Sequence, residues 1–131
     1  MRGFRPADDT GEAVAQTVLV VPVVLSIVWL ALQVTVFLHG AHVAAAAASE
    51  GAVAASRYGA STQIGVRAAE STLVELDAQA AASPEVVRRG DDVVATVSVR
   101  LPRIAPFFST VVTRSARETK ERFVTEKERN S

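Results

Sequence analysis

The sequence has no cysteine, few aromatic residues, and a long stretch without any charge. Without cysteine there is no disulfide framework, no thiolate metal site and no cysteine nucleophile. Five Phe, one Trp and one Tyr are too few for a carbohydrate platform or a base-stacking surface. Neither sign of charge is in excess, since fourteen basic residues balance fourteen acidic ones. That balance argues against a mainly electrostatic nucleic-acid binder, and no nucleic-acid partner is expected. Nucleophile-elbow, phosphate-loop and paired-carboxylate patterns are also missing from the sequence. No catalytic, cofactor-binding or metal-ligating residue is therefore assigned, no cofactor is expected, and the reading is non-enzymatic. Twelve arginines stand against two lysines, with abundant Ala and Val, which reads as a GC-rich coding bias.

What is present is hydrophobic length. From Ala13 to Ser49 there is no Asp, Glu, Lys or Arg, and Val18 to Leu38 is densely apolar. About 20 such residues suffice for a membrane-spanning helix. A buried strand would be shorter, and a buried core helix would show a polar face. Arg2 and Arg5 precede the span, and the first basic residue beyond it is Arg57. The bias places the N-terminus in the cytoplasm and most of the chain outside it.

Beyond the span, "AHVAAAAASEGAVAASRYG" is rich in the best helix former, so the helix is expected to continue outward. A helix from Gln16 to Tyr58 would be roughly 64 Å long at 1.5 Å per residue. A second helix is expected over Thr62 to Ala82, with Ala69, Leu73, Leu76 and Ala80 on one face and Ser83–Pro84 as its end. Val93, Ala95, Val97, Val99 and Leu101 then alternate with Val94, Thr96, Ser98 and Arg100, and "RGDD" supplies a hairpin turn. The "RGD" triplet reads as turn chemistry, not as an adhesion motif, and Asp91 and Asp92 as turn residues, not a catalytic pair. Phe107 to Arg117 is a candidate third strand, and the charged tail after it is undecided. The fold class is α+β: a long transmembrane helix, a second helix and a small antiparallel β region. The divisions read as a cytoplasmic leader over 1–11, the span with its extension over 12–59, and an extracytoplasmic α+β domain over 60–131.

The apolar run is too long for the h-region of a signal peptide, and Asp8, Asp9 and Glu12 sit where basic residues should dominate. Gly11 is followed by Glu12-Ala13-Val14-Ala15-Gln16 and at once by the uncharged helix, with Pro22 six residues after Gln16. This resembles type IV prepilins, in which a peptidase cuts after a glycine on the cytoplasmic face. More closely, the stretch from Gly11 to Gly59 resembles the TadE-like minor pilins of tight-adherence (Flp) pilus systems. The shared features are a short leader, one apolar helix with an early proline, a small-residue helix containing "EGA" (Glu50-Gly51-Ala52), and a later β-rich part similar to Val93–Ala116. The resemblance implies cleavage between Gly11 and Glu12 by a prepilin peptidase, and partners among other pilin-like or secretion-machinery proteins. It also implies residence in the plasma membrane or in a surface pilus, as an adhesion-related minor pilin or pseudopilin. One position departs from the family, whose members carry glutamate where this chain has Gln16. An intramembrane charge needs a partner, and an amide cannot neutralise an ammonium as a carboxylate can. Glu12, the first residue after such a cleavage, could partly substitute.

Between helices in lipid, association is driven by packing and polar contacts. Pro22, Ser26, Trp29 and Gln33 fall on one helical face, and Gly40, Ala44, Ala47, Gly51 and Ala55 continue as a smooth seam of small residues. This is the candidate packing face for another helix; the plainer reading is an alanine-rich stem. His39 and His42 lie three apart, and with no carboxylate before Glu50 they read as interfacial side chains, not a metal or proton site. Two other function classes stay open: an unprocessed membrane-tethered scaffold or binding module, and an envelope enzyme using unremarkable Ser, Asp and His residues.

Overall fold

The computed structural model describes residues 6–104 and 106–122, with the backbone alone over residues 6–10. Arg2 and Arg5, on which the expected orientation rests, and the tail beyond Arg122 lie outside the described residues. The elements are α1 (Pro6–Ser56), α2 (Thr62–Glu75), β1 (Glu85–Arg89), β2 (Asp92–Arg100) and β3 (Val111–Thr119). The class is α+β, as the sequence indicates.

The first helix, α1, is one 51-residue helix, about 76 Å long at 1.5 Å per residue. It starts at Pro6, ten residues before the expected Gln16. Proline suits the first helical position because its missing N–H has no partner there anyway. Glu12 also places negative charge near the positive end of the helix dipole. Helical structure therefore runs through Gly11.

Ser61 caps α2, its hydroxyl accepting from the Ile64 amide at 3.4 Å. The helix ends at Glu75, well before the expected Ala82. Asp77 takes a left-handed conformation at φ 52°, which Asp tolerates better than most non-glycine residues. The Asp77 amide then donates to the Val74 carbonyl at 3.1 Å and the Ala78 amide to the Leu73 carbonyl at 2.9 Å. These two bonds form a Schellman stop without glycine.

The chain next runs alongside the end of β2. Ala81 donates to the Ser98 carbonyl at 2.9 Å, and Arg100 donates to that of Gln79 at 2.8 Å. The sheet is antiparallel in the order β1-β2-β3. Arg89 pairs with Asp92, so Gly90 and Asp91 form a two-residue turn, and Gly90 supplies its positive φ of 62°. The third strand begins at Val111 and ends at Thr119, so it overlaps the expected Phe107–Arg117 but starts four residues later and runs two residues further.

One face of the sheet packs on the C-terminal half of α1. Val97 and Val99 of β2, with Leu101 and Val112, are buried against Ala41, Val43, Ala44, Ala47 and Ala48, and Val93 and Ala95 are buried further along the same strand, Ala95 beside Gly51. Ala69 and Leu73 of α2 close the same core. The opposite face is polar and solvated, with Thr96 bonded across the strands to Ser115 at 2.9 Å and Ser98 to Thr113 at 2.8 Å. The core thus crosses the expected boundary at residue 59: the head is built around the C-terminal half of α1.

Candidate functional site

Among the described residues, α1 alone is long and apolar enough to cross a membrane. Its N-terminal half touches almost nothing in the chain. Val18, Leu19, Leu25, Ile27, Trp29 and Leu32 are all exposed. In water such a belt would be a liability, whereas in lipid it meets a matching solvent. The hydroxyls within it are satisfied locally. Thr17 donates to the Ala13 carbonyl at 2.9 Å, Ser26 to Pro22 at 2.7 Å and Thr35 to Ala31 at 2.9 Å.

The sequence seam divides into two parts with different surroundings. Pro22 and Ser26, with Val23, Ile27 and Leu30, line a shallow apolar groove of about 320 Å³ on the bare helix. Trp29 stands exposed beside it. Gln33 is the turning point: it is 2% exposed and marks where the head begins to cover α1. From there outward, Gly40, Ala44, Ala47, Gly51 and Ala55 are buried by the chain's own α2 and sheet.

Close approach explains the small residues. A Cβ on Gly51 would lie 3.0 Å from the Gly65 carbonyl oxygen and 3.2 Å from the Ala69 Cβ. Conversely, a Cβ on Gly65 would lie 2.6 Å from the Gly51 carbonyl oxygen and 2.7 Å from the Ala55 Cβ. A Cβ on Gly40 would overlap the Leu101 side chain. Sequence reasoning found α1's half of this seam but missed Gly65. Its signal was present, as a glycine inside a helical pattern that costs about 1 kcal/mol against alanine unless packing needs it.

Gly11, Glu12 and Gln16 lie toward the N-terminal end of α1, all exposed, and a Cβ at Gly11 would meet open space. His42 is exposed, and His39 lines a cleft of about 820 Å³ at the foot of the head with Asp77, Arg100 and Pro102. Among the described residues no three His, Cys, Asp or Glu side chains are grouped to hold a metal ion.

At the far end, Asp91 and Asp92 act in the hairpin turn and its strand. Asp92 pairs with Arg117 at 3.3 Å, and Asp91 pairs with Arg122. The hydrogen bond and the positive charge of Arg122 hold the Asp91 carboxyl below its ordinary pKa. Two further bonds close this end, from the Lys120 amide to the Asp91 carbonyl at 2.6 Å and from the Glu121 amide to the Ser56 carbonyl at 2.8 Å. What the arrangement offers is a lipid-matched rod carrying a small head. No protein-family model, curated protein or solved structure matches the chain.

Proposed function

We propose that the chain is a single-pass membrane protein with its head outside the cytoplasm, acting as a TadE-like minor pilin or pseudopilin in pilus assembly. One observation carries the membrane part: a continuous helix exposes an apolar belt on its inner half and serves as the core of an α+β head on its outer half. The pilus part rests on the sequence resemblance, whose order of glycine, early proline, small-residue helix and β region this architecture accommodates. In this reading the groove at Pro22 and Ser26 is the part of the seam left for a neighbouring helix in the membrane, and the head contacts envelope or pilus partners.

A second reading is favoured by α1 running helically through Gly11. A peptidase that needs an extended segment before the helix would have to unwind two turns, so the chain would persist as an uncleaved anchored scaffold. Two measurements test these readings. A reporter active only outside the cytoplasm, fused after Ser131, should give signal; activity of a cytoplasm-only reporter there would end both. Mass spectrometry of the membrane-extracted chain should show Glu12 as first residue for the pilin form, with Gly11→Val leaving the longer precursor. An N-terminus intact at Met1 in cells holding the peptidase selects the scaffold instead.

A further inference from the structure

The loop joining β2 to β3 exposes two adjacent aromatic side chains, Phe107 at 94% and Phe108 at 40%. Exposing a single large apolar residue is common, but an adjacent aromatic pair in an aromatic-poor chain asks for an occupant. Its position supplies one. The second strand runs back along α1 toward the membrane, with Ala95 near Gly51 and Leu101 against Gly40. Pro102 lines the same cleft as Thr35, Val36 and His39. The loop therefore leaves the sheet at the level of residues 35–40 of α1, at the foot of the head.

That level is the membrane surface. About 20 residues of helix cross the roughly 30 Å hydrocarbon core, and the uncharged run begins at Ala13. Counting outward brings the hydrocarbon boundary to about Gln33, where α1 first becomes buried by the head. The densest apolar run, Val18 to Leu38, ends within residues 35–40, so the loop leaves the sheet at that boundary or within about 10 Å outside it.

The chemistry around the loop suits that place. Between Asp92 and Glu118 the sequence holds four arginines and no acidic residue. Arg100, Arg103 and Arg114 are exposed, and the Arg114 guanidinium lies 6.0 Å from the Phe37 ring on α1. Aromatic side chains flanked by arginines are the usual furniture of the lipid interface, rings in the acyl boundary and cations among phosphates. Ser109 also satisfies backbone locally, donating to the Val111 carbonyl at 2.9 Å and accepting from its amide at 3.4 Å. Such local satisfaction lowers the cost of bringing a loop near lipid.

We propose that Phe107 and Phe108 dip into the outer interface of the bilayer that α1 crosses, giving the molecule a second membrane attachment that fixes the tilt and rotation of rod and head together in the bilayer. This rests on the single-pass reading. The occupant is the lipid surface, with exposed arginines favouring anionic headgroups.

The test uses the full chain in vesicles of zwitterionic lipid with and without anionic lipid. Native Trp29 reports the span; a Trp29→Phe, Phe107→Trp chain reports the loop, and the 94% exposure of Phe107 makes that exchange sterically free. The expected result is a blue shift of the loop tryptophan, quenching by lipids brominated near the headgroup, and loss of quenching by aqueous iodide. The shift should be larger with anionic lipid present. A water-like loop tryptophan beside a lipid-quenched Trp29 overturns the proposal and leaves the span intact. Shielding from both iodide and brominated lipid overturns it in favour of a protein contact. Absence of quenching at Trp29 by lipids brominated deep in the acyl chain overturns the span, and the loop proposal with it.

Discussion

Gly51 and Gly65 bring two helix backbones together, and the contact leaves no room for a methyl group on the α2 side. Gly65→Ala should gain about 1 kcal/mol of helix propensity and lose about 1–3 kcal/mol to overpacking against backbone that cannot turn aside. A net loss of stability is expected, read as a lower melting temperature of the micelle-solubilised chain. Gly11→Ala, facing open space, is the control and should show no loss. A rise on Gly65→Ala would mean the two helices separate without cost. The same geometry changes what Gly51→Leu reports. Read from the seam alone, that variant should weaken a partner helix's grip; here its side chain would drive α1 from α2 within one chain.

Among the elements, the hairpin was the most legible in sequence. Val93 to Leu101 alternates because one sheet face is buried on α1 and the other is wet, and period two is what such a strand requires. The end of α2 was not legible, because Asp77 holds a position where glycine is the usual signal. Phe107 and Phe108 suggested strand by propensity, yet they lie in the loop before β3, which starts at Val111. The seam was half legible. Spacing of small residues announces close approach but is identical whether the other helix belongs to a neighbour or to the same chain. The turn at Gly90–Asp91 carries a pH dependence of stated sign. Arg122 lowers the Asp91 pKa from its ordinary 3.8, so the contact's contribution is complete above that value and fades as pH falls through the lowered one. Arg122→Ala should return the Asp91 carboxyl toward its ordinary titration, followed by NMR; an unmoved midpoint would show that the pair does not form in solution.

For the whole molecule, the core dictates which pieces can fold. Ala41, Val43, Ala44, Ala47 and Ala48 come from α1, and among the described residues the apolar faces of the sheet and α2 pack mainly on that helix. A fragment beginning at Gln33 should therefore fold, showing dispersed amide resonances and a cooperative melt. One beginning at Ala60 should not, because so small a remainder cannot bury enough apolar surface. Cooperative folding of the shorter fragment would mean that the head is independent of the rod.

The third strand runs in the same direction as α1, from Val112 beside Gly40 to the Glu121 amide on the Ser56 carbonyl. In the single-pass reading, tension between the membrane and Arg122 therefore pulls along the strand axis. Hydrogen bonds between β2 and β3 lie across that axis, so they are loaded in shear and share the force instead of opening one after another. Rupture is then a single high-barrier event governed by the unfolding rate. A head joined to its rod in this way transmits a pull on its far end directly into the span.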